Sequence, residues 1–303
     1  MKPTTRLGLL SGPALALVFT LVPSGAALAA GPYQFTTLTS PCRIVDTRSG
    51  LGGFKGKIVN SQTVKFPIRN PMPCNVPPSA AAIAVNITLA DVPNTVGSGF
   101  IALFPGDQSW SGISNINFTP PGFIANGAIV PLATTHTLDL AALAAFADPS
   151  GNATTGGTNL ILDVTGYFVP VGGLQFYSIV PCRVIDTSVG TGGFNGQLPN
   201  GGTGTLFTVK GATPCNIPVD AVAVAANATA VGTQDQGFLA LFPGANAWPG
   251  VSNVNFFAGD TIGNGALIPL SAGASDLAVL AVAANPATVG VADFTLDVTG
   301  YFK

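Results

Sequence analysis

Three aspartates that recur at matching positions in the two halves of the chain are its best candidates for acid–base chemistry. They are Asp46 with Asp186, Asp139 with Asp276, and Asp163 with Asp297. Two carboxylates on either side of a glycosidic bond can hydrolyse it, so a carbohydrate-active enzyme using paired aspartates is the best catalytic alternative. An ion pair with Arg43 and backbone capping at a DVTG turn explain Asp46 and Asp163 more simply. We therefore expect a protein that is not an enzyme.

Nucleophilic and metal-dependent chemistry have even less support. The single histidine, His136, has Ala274 at its matching position, so the two halves share no histidine-dependent site. The sequence contains neither a CxxC motif nor the ligand spacing of an EF-hand. We expect no catalytic residues, no metal and no cofactor.

The two tryptophans of the chain, Trp110 and Trp248, are the candidate ligand-binding residues. They occupy matching positions in the loop sequences GDQSWSG and GANAWPG. An aromatic ring among small polar residues can stack on the face of a sugar or anchor a protein contact. Alternatively, each ring folds back over the edge of its own domain. The sequence leaves both interpretations open.

These residues lie within a long internal repeat. PCRIVDTRSGLGGF, residues 41–54, returns as PCRVIDTSVGTGGF at residues 181–194, and LILDVTGYF (160–168) returns as FTLDVTGYF (294–302). Self-similarity at so long a period indicates two tandem modules of about 130 residues, each the size of a domain. We place module 1 at residues 30–170 and module 2 at residues 171–303.

The N-terminal segment has the features of a signal peptide, which we place at residues 1–29. Lys2 and Arg6 precede an apolar stretch from Leu7 to Val22, and a small-residue end follows with Ala27-Leu28-Ala29 as the cleavage signal. A membrane anchor is the alternative, but residues 11–13 interrupt the stretch, which is shorter than the roughly 20 residues of a membrane-spanning helix. We therefore expect a secreted protein, extracellular or on the cell surface, with no membrane contact after cleavage.

The four cysteines form two matched pairs, Cys42 with Cys74 and Cys182 with Cys215. An even number of cysteines in an exported protein predicts disulfides. Four cysteines allow three connectivities, and duplication of a finished domain selects one bridge within each module. In the chain-entropy model, a loop of about 33 residues is stabilised by roughly 3–4 kcal/mol.

Composition and periodicity predict an all-β protein. Charged residues make up only 8% of the chain, against about 25% in an average protein, whereas glycine (38) and proline (25) are abundant. Apolar and small or polar residues alternate in SAAAIAVNITLA and TVKFPIR, and LDLAALAAF is also better explained as a strand. We expect two antiparallel β-sandwich domains, similar to jelly rolls. So few charges argue against nucleic acid or acidic membranes as partners.

The PCR-x-x-DTR phrase at the start and DVTGYF at the end resemble a secreted bacterial module that occurs singly or in tandem in exported actinobacterial proteins. The resemblance covers nearly the whole chain after the signal peptide and implies an extracellular accessory or surface module of no established activity. The second copy departs from the pattern, with Ser188 in place of Arg48.

We accordingly expect a secreted, non-enzymatic surface or matrix protein whose paired modules bind a cell-wall glycan or a protein partner. A self-associating structural subunit of a filament or layer is the alternative within the same class, because a charge-poor surface gives little repulsion between copies.

Overall fold

The computed structural model describes residues 33–69, 73–92, 97–112, 114–118, 122–135, 138–148 and 156–303. The predicted signal peptide and His136 lie outside the described residues. All regular structure in these ranges is β-strand, as predicted, and the strands form four antiparallel sheets arranged as two similar halves. No membrane-crossing helix occurs in the described part of the chain.

The first half contains nine strands. They are β1 (Gln34–Asp46), β2 (Ile58–Val59), β3 (Thr63–Phe66), β4 (Ala82–Val92), β5 (Ser98–Pro105), β6 (Ile116–Phe118), β7 (Gly122–Pro131), β8 (Leu140–Ala147) and β9 (Gly157–Val169). One sheet has the order β1-β9-β4-β7, with β2 also paired to β9, and the other has the order β3-β8-β5-β6. LDLAALAAF lies largely in β8, which confirms its prediction as a strand.

The second half repeats this arrangement, with an isolated bridge between Pro199 and Gly290 in place of β2. Its strands are β10 (Phe176–Asp186), β11 (Thr205–Phe207), β12 (Ala223–Val231), β13 (Gly237–Pro243), β14 (Val254–Phe256), β15 (Ile262–Pro269), β16 (Leu277–Ala283) and β17 (Asp293–Phe302). The sheet orders are β10-β17-β12-β15 and β11-β16-β13-β14. Apart from β2, the two sheets of each half exchange successive strands except at the β5–β6 and β13–β14 hairpins, and this strand order is that of a jelly roll.

Alternation along the strands places an apolar face between the two sheets of each half. In β4, Ile83, Val85 and Ile87 point into the core of the first half, while Ala84 and Asn86 point to the opposite face. An equivalent core fills the second half, with Phe207, Phe294 and Leu296 among its fully buried members. Burial of these apolar faces is the main favourable term for each sandwich.

Both predicted disulfides are present. Cys42 is bonded to Cys74 and Cys182 to Cys215, each with a Cα–Cα distance of 5.6 Å. Each bridge joins the first strand of its half to the segment that precedes β4 or β12. Two bridges within one chain are consistent with an oxidising compartment.

The repeated glycines in LGGF and TGGF have a conformational reason. Gly52 and Gly192 have φ values of +88° and +90°, in the left-handed region that favours glycine. A Cβ atom on Gly52 would also lie 2.9 Å from the side chain of Val45. The turn after the first strand therefore requires glycine in both copies.

The two halves pack against each other within one compact unit, residues 32–303. The outer face of the β1-β9-β4-β7 sheet meets the outer face of the β10-β17-β12-β15 sheet. Phe35 is buried there, with its ring centroid 4.6 Å from Phe302 and 5.2 Å from Phe168. Asn86 and Gly127 lie farther along the same face and make hydrogen bonds to the second half.

Alanine substitutions at two equivalent glycines, Gly127 and Gly265, test this interface. A Cβ on Gly127 would overlap the carbonyl oxygen of Gly265, whereas a Cβ on Gly265 meets no atom within 4 Å. Gly127→Ala should therefore lower the free energy of unfolding by about 1–3 kcal/mol, the usual cost of overpacking, and Gly265→Ala should leave it nearly unchanged. Urea denaturation measures both; equal effects of the two substitutions would contradict this packing.

Candidate functional site

Trp110 and Trp248 lie in equivalent loops, after β5 and β13, and have nearly identical surroundings. The Trp110 ring stacks on Phe100, with centroids 5.6 Å apart and planes at 25°; Trp248 stacks on Phe238 at 5.6 Å and 24°. Trp110 remains 43% exposed and Trp248 44% exposed. The ring of each tryptophan thus folds back over its own sheet while a large part of it stays open to solvent. We call each stacked pair an aromatic platform.

The platforms rest on the outer faces of the sheets that contain β5 and β13. In β5, Phe100, Ala102 and Phe104 alternate with core residues and form an apolar row on this outer face. Phe238, Ala240 and Phe242 form the same row in β13. The sequence analysis did not identify the phenylalanine partners. The motif G-F-x-A-L-F-P, which contains Phe100 and Phe238, occurs in both copies and could have indicated them.

The loops that carry the tryptophans are held at both ends. At the start, a Cβ on Gly106 would overlap the carbonyl oxygen of Leu138, and the backbone amide of Gly106 donates to Asp139 O at 3.1 Å. In the second half, the indole Nε1 of Trp248 donates to Val251 O at 2.8 Å. The indole bond ties the edge of the Trp248 ring to its own loop, and the stacking on Phe238 covers part of the ring.

The SNxNF and NG motifs fix the end of each loop. The side-chain oxygen of Asn115 accepts the amide hydrogen of Leu103 at 2.6 Å, and Asn126 Nδ2 donates to Asn115 O at 2.6 Å. Asn253 and Asn264 make the equivalent bonds in the second half, at 2.7 and 2.5 Å. Each asparagine pair therefore ties strand β5 or β13 to the facing sheet and sets where the platform lies.

The two platforms differ in what borders them. Beside Phe100 an open groove of about 480 Å³ is lined by Ser98, Gly99, Asn117 and Phe118. Asn117 is exposed there, whereas its counterpart Asn255 is buried. The groove is therefore a feature of the first half.

The loop of the second platform contacts the first half directly. Asn246 Nδ2 donates to the carbonyl oxygen of Thr39, in β1, at 2.7 Å. The corresponding residue of the first loop, Gln108, contacts its own neighbour Asp107 instead. The second platform is thus supported by both halves of the molecule.

The shared aspartates of the first half make ion pairs with arginines. Arg43 binds Asp163 through two hydrogen bonds of 2.8 and 3.1 Å, and Arg48 binds Asp46 at 2.9 and 2.7 Å. Burial raises the pKa of Asp163, with the Arg43 bonds opposing it. Burial also acts to raise the pKa of Asp46, but the bonds from Arg48 outweigh it and the net shift is downward. Asp163 lies inside strand β9, so its assignment to a turn was wrong.

The second half keeps this arrangement with one change. Arg183 binds Asp297 at 2.8 and 2.9 Å and Asp186 at 3.1 Å. Ser188 replaces the second arginine, and its hydroxyl donates to Asp186 at 2.6 Å. That bond is the largest contribution to the lowered pKa of Asp186. A hydroxyl therefore substitutes for a guanidinium in the same structural role.

The remaining shared aspartates, Asp139 and Asp276, accept hydrogen bonds from backbone amides. Asp139 accepts the amide hydrogens of Ile68 and Arg69 at 2.6 and 2.8 Å, and the Arg69 guanidinium lies 3.3 Å away. Asp276 accepts those of Val209 and Lys210, both at 2.9 Å, and burial raises its pKa. All three aspartate pairs thus have partners that hold strands or loops in place.

The described residues contain no group of three or more histidine, cysteine or acidic side chains that could hold a metal ion. The cysteines are taken up by the two disulfides. The aromatic platforms are an arrangement that the two halves share and that presents apolar side chains to solvent.

The sequence matches no protein-family model and no curated protein. Among solved structures, that of the Macrobrachium rosenbergii nodavirus is similar over 99% of this chain and 97% of the viral chain, with 13% identity and a TM-score of 0.21. A TM-score this low carries no argument about fold or function.

The equivalent pairs Arg43–Asp163 and Arg183–Asp297 should contribute differently to the stability of the protein. The Asp163 side chain is 1% exposed and the Asp297 side chain 30% exposed. Arg43→Gln should lower the free energy of unfolding by about 3–5 kcal/mol, because it leaves a buried carboxylate without its cation. The matched variant Arg183→Gln should cost about 0–1 kcal/mol. Urea denaturation at neutral pH measures both.

The pH dependence gives a second criterion for the same variants. Without Arg43, the pKa of buried Asp163 rises further above its unfolded value, so the folded state gains stability as pH falls and the carboxyl takes up a proton. The stability lost in Arg43→Gln should therefore shrink in acid. A loss that is independent of pH, or equal in the two variants, would show that the pairs do not act as described.

Proposed function

We propose that this chain is a secreted, non-enzymatic surface or matrix protein that binds a neutral cell-wall glycan through its two aromatic platforms. The observation that carries the proposal is the near identity of the platforms: a half-exposed tryptophan stacked on a phenylalanine at 5.6 Å in each half. Secretion and cleavage after residue 29 belong to the same proposal and are supported by the N-terminal sequence and the two disulfides.

A sugar is the ligand class that this geometry favours. The axial C–H groups of a pyranose form an apolar face that stacks on a rigid aromatic ring, and a tryptophan held against a phenylalanine loses little entropy on binding. Formal net charge is −2 over 303 residues, so the surface offers little attraction to a strongly charged polymer. The groove beside Phe100, lined by Ser98 and Asn117, gives hydroxyl and amide groups that can bond sugar hydroxyls.

Two platforms on one chain make weak sites effective. Once one platform is bound to a repeating polymer, the second binds from a high effective concentration, and avidity exceeds either affinity without any further contact. Because the loop of Trp248 is bonded to β1 through Asn246 and Thr39, the second platform is held against the first half. Such a fixed arrangement suits a repeating polymer.

Self-association into a filament or layer is the second candidate. Exposed apolar side chains such as Val171, Val219 and Val289 occur away from the platforms, on a surface with few charges. A carbohydrate-active enzyme is a weaker candidate, since the shared aspartates are engaged in ion pairs and backbone contacts.

The proposal predicts the behaviour of a double variant. Trp110→Ala combined with Trp248→Ala should abolish retention of the purified protein on isolated bacterial cell-wall polysaccharide, measured by co-sedimentation. The melting temperature should fall by only a few degrees, because both rings are half exposed. Val219→Ala combined with Val289→Ala removes two exposed apolar side chains elsewhere and should retain binding.

Two results would contradict the proposal. Retention of the double tryptophan variant at the wild-type level would place binding elsewhere. A loss of several kcal/mol of stability, with retention lost only in proportion to unfolding, would show that the tryptophans stabilise the sheets and do not bind a ligand.

A further inference from the structure

A cavity of about 380 Å³ lies between the two halves, apart from the aromatic platforms. Equivalent small residues from the two facing sheets line it. They are Ala84 with Ala225, Gly127 with Gly265, and Thr165 with Thr299. Each half thus supplies one wall of the cavity, which is open to solvent where Ile129, Gly265 and Thr299 are exposed.

The size of the lining residues explains why the space is empty. Packed sheets are separated by about 10 Å when side chains fill the gap. Here the two walls present mostly methyl groups and bare backbone. They touch where Gly127 approaches the carbonyl oxygen of Gly265, and beside this contact the short side chains leave a gap that they do not fill.

An aromatic cluster forms one end. Phe35 is inserted between Phe168 of its own half and Phe302 of the other, and it is 1% exposed. In the register of the sheet, Phe168 is paired with Ala82 and Gly166 with Ala84. The cluster therefore lies two residues along β4 from the alanine that lines the cavity.

Asparagine side chains form the other end. Asn86 Nδ2 donates to Ser252 O at 2.6 Å, and Asn264 Nδ2 donates to Asn86 Oδ1 at 2.8 Å. The side-chain oxygen of Asn264 accepts the amide hydrogen of Gly127 at 2.6 Å. These bonds are buried or partly buried and link the halves directly, so the position of one wall relative to the other is fixed at both ends.

The chemistry of the lining is neutral and apolar. No charged residue is among the described residues that line the cavity. Its polar side chains are bonded within the protein: Thr299 Oγ1 donates to Ala225 O at 3.2 Å, and Asn253 Oδ1 accepts the amide of Leu241 at 2.7 Å. A ligand would therefore meet methyl groups, with no partner for a charge.

The volume suits a small molecule. An engineered apolar cavity of about 150 Å³ already binds benzene, and ligand pockets typically measure about 300–1,000 Å³ and often lie between domains. Ile129 lines the cavity and is 57% exposed, so it marks an opening to solvent. An apolar molecule can therefore enter without separation of the halves.

We propose that this cavity is a binding site for a neutral hydrocarbon group, such as the alkyl chain of an uncharged amphiphile. The site is distinct from the platforms and would give the protein a second ligand class besides a glycan. Its affinity comes from burial of apolar surface between two preformed walls, and a charged headgroup close to the cavity would lose hydration without gaining a partner.

Binding of the neutral fluorescent probe N-phenyl-naphthylamine to the full chain tests the site. We expect saturable fluorescence enhancement with one probe bound per chain. Gly265→Leu should weaken binding about tenfold or more, since Gly265 lines the cavity and a Cβ there meets no atom within 4 Å, so the added side chain has room to take up part of the space. Gly273→Leu adds the same side chain in an exposed loop and should bind like the wild type.

Three further measurements test the ligand class, the independence from the platforms and the position of the bound probe. Dodecanol should displace the probe at lower concentration than dodecanoate does, because the lining offers no cation. The Trp110→Ala and Trp248→Ala double variant should keep full probe affinity, so the proposal for the cavity and the proposal for the platforms are tested independently. If Gly265→Leu does not fold, Ala225→Leu fills the same space from the neighbouring strand.

The proposal is overturned by any of three results. They are the absence of saturable probe binding, unchanged affinity in folded Gly265→Leu and Ala225→Leu, and displacement by dodecanoate equal to or better than displacement by dodecanol.

Discussion

The buried hydrogen bonds among Asn86, Ser252 and Asn264 are the interaction on which the rest of the structure depends. They join two sandwiches that each have a complete core, and they do so with uncharged groups that leave no buried ion to solvate. Together with the Phe35–Phe302 contact, they fix how far apart the facing sheets lie. The cavity lies between these two sets of contacts, and the second platform is supported because Asn246 in its loop bonds to Thr39 in β1.

The same packing makes two similar halves unequal. Phe35 is buried between two other rings, whereas its counterpart Phe176 is 50% exposed. Asn86 bonds across the interface, whereas Asn227 is exposed and contacts Thr229. Repetition of a sequence therefore yields two copies of the aromatic platform in different surroundings, and the first borders an open groove beside Phe100. Such a difference lets one chain carry two related sites without making them interchangeable.

Strands and disulfides could be predicted from the sequence, because they follow from local alternation and from the internal repeat. Alternation in β4 gave the strand and its buried face, and duplication of the cysteines gave both bridges. Asp163 was misplaced because a DVTG phrase is typical of turns, whereas pairing with Arg43 on the neighbouring strand keeps it in β9. The cavity could not be predicted, because it depends on which outer faces meet. The Asn-Gly pairs are typical of turns but lie inside strands β7 and β15, and they do not identify the partner sheet.

The central claim is that both platforms act together on one polymer. The most direct test compares the single variants Trp110→Ala and Trp248→Ala with the wild type. Biolayer interferometry measures how fast each purified chain dissociates from immobilised cell-wall polysaccharide. If binding is bivalent, either substitution alone should shorten the residence time nearly as much as the two combined, since each removes the avidity. If one substitution has no effect and the other accounts for the whole loss, a single platform binds and the bivalent account is wrong.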